Sequence, residues 1–114
     1  MNFDATFTTA GNPYNIYNVL SGLQTTGVTK QTGSKNFNIS RNVSVLRITV
    51  DGVVAGIVYV TSDATVSATN KVGNPILSGD SRIFQGEGNM RSFSIANRYF
   101  AVDSNLMLIH FEVE

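Results

Sequence analysis

The chain has 114 residues, no cysteine, a single histidine, and eight basic residues against eight acidic ones. These counts exclude disulfide staples, thiolate metal sites and cysteine catalysis, and a net charge of zero offers no concentrated basic face for phosphates, so no nucleic acid partner is expected. With 42 % hydrophobic and only 14 % charged residues, against roughly a quarter charged in an ordinary soluble domain, the chain has the apolar content for one domain with its own core. Its surface must then be built from Ser, Thr, Asn and Gly, which pack against other proteins without stripping water from charges.

The charges are unevenly spread. Residues 1–50 carry four basic groups against Asp4 alone, a net +3, and residues 51–114 carry four basic groups against seven acidic ones, a net −3. Opposite ends of that kind attract in a head-to-tail assembly.

The chain begins "MNFDATFTTA". It has neither a basic leader region nor a long apolar run, so it does not read as a signal peptide, and no stretch approaches the ~20 apolar residues that span a bilayer. Synthesis in a cytoplasm and no membrane partner are expected. Phe3 and Phe7 in this segment read as an arm that docks on a neighbour. In "GNPYNIYNVLSGLQ", Asn12 suits a cap and Pro13 a first helical position, and Ile16, Val19, Leu20 and Leu23 recur at helical spacing. Gly22 or Gly27 ends this short helix. Residues 1–26 are thus expected as arm and helix, and 27–114 as a β domain.

From Gly27 the pattern is β. "KNFNISRNVSVLRITVDGVVAGIVYV" reads as a long strand and a second strand joined by an Asp51-Gly52 hairpin turn. "ATVSAT" alternates as a further strand, and "NKVGNP" breaks it. "PILSGDSRIFQ" bends at Ser78-Gly79-Asp80, and "GEGN" (86–89) is another turn. "MRSFSIA", "RYFAV" and "LMLIHFEVE" complete about eight short strands. In the last, Met107, Ile109, Phe111 and Val113 alternate with Leu108, His110, Glu112 and Glu114, which predicts a half-buried strand running to the final residues. Short strands with such punctuation predict a β-sandwich or barrel, and the expected fold is an all-β antiparallel sandwich, jelly-roll-like, with an N-terminal arm and one short helix.

The residues that carry chemistry are sparse. Catalysis by a Ser-His-Asp set needs a serine and a carboxylate to converge on His110, yet His110 lies mid-strand between Ile109 and Phe111 and reads as an edge or interface histidine. One histidine without cysteine excludes the usual zinc sets. Asp51, Asp63, Asp80 and Asp103 each sit beside Gly, Ser or Asn and read as turn residues. Gly86-Glu87-Gly88 lacks the βαβ surroundings of a phosphate loop. Glu112 and Glu114 share a strand face but read as charges that discourage edge pairing more than as a glycosidase pair. No catalytic residue, metal or cofactor is expected. Tyr59 and Tyr99 read as packing residues, while Tyr14 and Tyr17 suit a neighbouring subunit as well as the chain's own core.

The run from "NVSVLRITVDG" through "GNPILSGDSRIF" to "NMRSFSIANRYFAVDSNLMLIHFEV" resembles small β-sandwich structural proteins of tailed bacteriophages. The resemblance rests on Pro75, Leu77, Gly79, Asp80 and Ile83, then Met90 to Ala96, then Leu108 to Glu112, and covers residues 40–114. It implies a non-enzymatic virion structural protein that binds and stabilises the capsid shell as a decoration or cement protein. A carbohydrate- or receptor-binding module of a phage tail or head fibre is the alternative. The implied partners are the major capsid protein or other virion subunits and further copies of the chain, and the implied location is the capsid surface. Phe3, Phe7, Tyr14, Ile16 and Tyr17 are the expected contacts, with Arg41, Arg47, Glu112 and Glu114 adding charge complementarity.

Overall fold

The alternation in the closing segment produces a strand with one dry face. Met107, Ile109, Phe111 and Val113 are buried, Leu108 and His110 half-buried, and Glu112 exposed. The opening segment has the same period, with Phe3, Ala5 and Phe7 buried, and the two strands pair antiparallel from Asn2 against Glu112 to Phe7 against Met107. In a computed structural model that describes residues 2–33, 39–86 and 91–114, this pair is the centre of the protein.

Eleven strands form, with one α-helix and one 3₁₀ turn: β1 (Asn2–Phe7), β2 (Tyr14–Asn15), α1 (Ile16–Ser21), β3 (Val28–Gly33), β4 (Asn42–Val43), β5 (Val45–Val50), β6 (Ile57–Thr61), β7 (Asn74–Leu77), β8 (Ser81–Gln85), β9 (Phe93–Ser94), the 3₁₀ turn Ile95–Asn97, β10 (Tyr99–Val102) and β11 (Met107–Val113). They make a five-stranded sheet ordered β3-β1-β11-β5-β8, a four-stranded sheet β2-β10-β6-β7 and a small pair β4-β9. Every pairing is antiparallel, and the fold is the all-β sandwich the sequence predicts. The first sheet contributes Phe3, Phe7, Leu46, Ile48, Ile109 and Phe111 to the core, and the second Val58, Val60, Ile76, Phe100 and Val102. Helix α1 adds Ile16, Val19 and Leu20. Where these surfaces meet, Phe7 stands edge-on to Tyr14 and Phe100 with centroids at 4.9 and 5.1 Å, and Tyr14 stacks on Phe100 at 5.2 Å.

Several expectations are corrected. The N-terminal arm is an inner strand: Phe3 and Phe7 are buried because β1 fills the space between β3 and β11. Residues 1–26 therefore share a core with the rest of the chain. The helix starts later than the Asn12-Pro13 signal suggests. Asn15 caps it by accepting from the Asn18 amide, because Tyr14 and Asn15 are first drawn into pairing with β10. Its end at Gly22, with φ of 84°, is as expected.

The Asp51-Gly52 hairpin does not form. β5 belongs to the first sheet and β6 to the second, so residues 51–56 arch across the sandwich and both strands bury valines in one core. "ATVSAT" is not a strand either. Asp63 accepts from the amide and hydroxyl of Thr65, Ser67 and Asn70 exchange backbone bonds, and only Val66 is buried. The "GEGN" turn falls largely outside the described residues.

Two glycines at positive φ test the fold. Gly73 (φ 96°) lies against the Val60 carbonyl and Thr61, and a Cβ there would overlap the Val60 oxygen, whereas Gly79 (φ 88°) has open space around it. Gly79→Ala is expected to cost only the left-handed backbone penalty, about 1–2 kcal/mol. Gly73→Ala adds an overpacking cost of about 1–3 kcal/mol. Urea unfolding of the two variants checks this, and equal losses would contradict the close packing of Gly73.

Candidate functional site

The solvent face of the five-stranded sheet carries the one cluster of titratable side chains in mutual contact among the described residues. Cross-strand register fixes two rows, Asn2-Glu112-Arg47 and Asp4-His110-Thr49. They line an open hollow of about 300 Å³ with Phe111 beneath. Within it, Asp4 Oδ1 lies 2.6 Å from His110 Nδ1, and Asp51 Oδ2, arriving from the β5–β6 arch, lies 3.3 Å from His110 Nε2. The ring is therefore held between two carboxylates. The Asp4 hydrogen bond is the main cause that raises the His110 pKa, Asp51 adds to it, and partial burial opposes it.

Both ring nitrogens of His110 face carboxylates, and which of them donates is set by the tautomer and charge of the ring. Charged, the imidazolium bridges three segments: β1, β11 and the arch. No set of three or more His, Cys, Asp or Glu side chains suited to a metal ion occurs among the described residues.

A second feature lies at one end of the sandwich. The Asp51 amide donates to the Leu108 carbonyl, Ser78 Oγ donates to the Val54 carbonyl at 2.8 Å, and the Ile57 amide donates to Asp103 Oδ1 at 2.7 Å. These bonds gather three loops, 51–56, 77–80 and 103–106. They expose Val53 (72 %), Leu77 (52 %) and Leu106 (50 %), and they carry Asp51, Asp80 and Asp103 with no Lys or Arg. The result is an apolar tip with an acidic rim. The aspartates are the turn residues the sequence predicts: Asp51 Oδ1 accepts from the Val53 amide.

A third hollow, beside Tyr99, is lined by Asn15, Asn18 and Gln24. Its amides serve the backbone: Gln24 bridges the Asn15 amide and the Pro13 carbonyl, and Asn15 Nδ2 donates to the Ala96 carbonyl.

The predicted contact residues divide by exposure. Phe3, Phe7, Tyr14 and Ile16 are buried in the chain's own core and present nothing to a neighbour, because alternation and helical spacing point them inward. Tyr17 is half-buried with the Arg41 guanidinium 4.4 Å above its ring. Arg47 and Glu112 are cross-strand neighbours, both exposed. Glu114 is exposed, and its backbone carbonyl takes the Ser44 amide and hydroxyl. Strands from both halves alternate in the five-stranded sheet, so among the described residues the two halves do not form separate ends. Sequence reading missed the Asp4-His110-Asp51 cluster, although alternation alone places Asp4 and His110 on outer faces. The tip was visible only as scattered turn residues. No family model, curated protein or solved structure matches the chain.

His110 gives a signed pH prediction. Because its folded pKa is raised above the ordinary value near 6.5, its stabilising contribution is full below about 6.5 and is lost as pH rises through the folded value. Urea midpoints are expected to fall between slightly acid and alkaline pH in the wild type, and His110→Gln is expected to flatten that fall. A wild-type profile already flat across this window would show that the carboxylates do not hold the ring in solution.

Proposed function

We propose that the protein is a non-enzymatic structural protein of a tailed-phage virion, seated on the capsid as a decoration protein and joined to its partner subunits through the apolar, acid-rimmed tip. The observation that carries this reading is the exposure of Val53, Leu77 and Leu106 on three segments, the 51–56 arch, the end of β7 and the 103–106 loop, that hydrogen bonds tie to one another. Scattered surface apolar residues are ordinary, but a cluster on rigidly tied loops, rimmed by polar groups, marks a binding surface. Asp80 and Asp103 make the rim mainly acidic, with Asp51 turned to His110 and Arg82 lining the hollow beside Leu77 and Asp80, so the fitting partner presents an apolar pocket with a mainly basic border. The largely uncharged remainder of the surface supports an adhesive role. The phage setting rests on the resemblance of residues 40–114 to small virion sandwiches.

Co-sedimentation with assembled shells of a tailed-phage major capsid protein tests the reading. The wild type is expected to pellet with the shells at saturating stoichiometry, and a Leu77→Ser/Leu106→Ser variant with unchanged circular dichroism is expected to lose at least tenfold in affinity. A wild type that stays in the supernatant, or a variant that binds equally well, would overturn it. Binding to a host glycan without binding to shells would place the protein on a tail or head fibre instead.

A further inference from the structure

The two sheets end on the same side of the sandwich, at β7 and β8, and the two edges are built differently. On β7, the Ser78 amide donates to the Gly56 carbonyl, so with the observed register Ile76 bonds inward to β6 while Pro75 and Leu77 face out. Pro75 has no N–H, which blunts that edge. On β8, the Val50 amide donates to Asp80 and the Gly86 amide to Ser44. In the register with β5, the even-numbered residues Arg82 and Phe84 therefore bond inward. The N–H and C=O groups of Ser81, Ile83 and Gln85 point away from the sheet, and among the described residues no strand pairs with them. Ile83 is 56 % exposed. The edge carries no proline or bulge, and its one charged residue is Arg82.

We propose that β8 is a self-pairing edge: two copies join antiparallel about a two-fold axis through Ile83, making one continuous sheet across the dimer. An isologous contact requires a strand complementary to its own reverse, and β8 meets that condition in this register. Ile83 then faces the second copy's Ile83, burying an exposed apolar side chain on each. Ser81 faces Gln85, polar against polar, and all three outward residues exchange both backbone bonds. On the other face Arg82 lies opposite Phe84 of the second copy, an Arg–aromatic pair. Moving the axis to residue 82 sets Arg82 against Arg82, and moving it to 84 pairs Ser81 with a position past the end of the strand. Charge and strand length thus select one register and one occupant, a second copy of this chain. The tip and the edge adjoin at Leu77, Asp80, Ser81 and Arg82, and the pairing is tested at Ile83, which lies outside that hollow.

Equilibrium sedimentation of the full chain and of two variants tests it. The wild type is expected at twice its 12.3 kDa mass. Ile83→Lys, which sets two ammonium groups face to face on a solvent-exposed position, is expected to raise the dimer dissociation constant at least tenfold with an unchanged near-ultraviolet spectrum. Because the chain has no cysteine, Ile83→Cys is expected to form a disulfide dimer on mild oxidation, the paired Cα atoms standing about 5.5 Å apart. Leu106→Cys, away from the axis, forms no disulfide cross-link under the same treatment. A wild type that is monomeric up to its solubility limit, a dimer that Ile83→Lys leaves intact, or equal cross-linking of the two cysteine variants would each overturn the proposal.

Discussion

The pairing of the first strand with the last is the constraint from which the rest of the structure follows. β1 and β11 meet along their whole length, and neither lies at an edge: β1 is enclosed by β3 and β11, and β11 by β1 and β5. Chain ends fray unless something ties them down. Here each end strand has hydrogen-bonded neighbours on both sides and puts every second side chain into the core. This is why "NLMLIHFEVE" stays apolar almost to its last residue. The contact closes nearly the entire chain into a loop, but closure entropy grows only logarithmically with length. The energetic penalty is therefore modest, and its main consequence falls on folding speed, since contacts so distant in sequence form late.

The same pairing produces the chemistry of the outer face. Asp4 and His110 are direct cross-strand partners, so the carboxylate and the imidazole are brought together by register alone. Asp51 joins them because the arch from β5 to β6 turns back over the sheet at that point, held by the Asp51 amide on the Leu108 carbonyl. The cluster thus ties the loop that presents Val53 to the two most constrained strands of the molecule. His110 and its two acidic partners are each about a third exposed, a position in which solvent screening keeps such pairs weak. Their effect is better read as orienting the arch than as stabilising the fold, which rests on the core around Phe7, Tyr14, Phe100 and Phe111.

What the sequence made legible follows the period of its side chains. Alternation in β11 identified the strand and its buried face correctly, since two-residue periodicity is a local property. The all-β class and the bend at Gly79 were readable for the same reason. The failures are non-local. Asp51-Gly52 has the composition of a hairpin turn, and nothing in those residues reveals that the next strand bonds to β10 and β7 instead of β5. Phe3 and Phe7 looked like adhesive side chains because their partner strand is more than a hundred residues away. In "ATVSAT" the alternation was real, but Asp63, Ser67 and Asn70 offered the backbone local side-chain bonds that outcompeted a ladder. The Asp4-His110-Asp51 cluster needed two such distant pairings at once.

The composition that opened the problem returns at the sheet margins. Proteins commonly protect exposed strand edges with lysine, proline or bulges. A chain with 14 % charged residues has few charges to place there: β7 is guarded by Pro75, and β3, the other edge of the five-stranded sheet, carries Lys30 and a register shift. β8 has neither, and its Ser81, Ile83 and Gln85 face outward with Arg82 on the strand and Arg98 beside it. A low-charge surface suits contact with other proteins because little hydration is lost on burial, and the same scarcity leaves an edge that invites a strand. Adhesion at the tip and openness along the side therefore have one origin, the replacement of charge by Ser, Thr and Asn over most of the exterior.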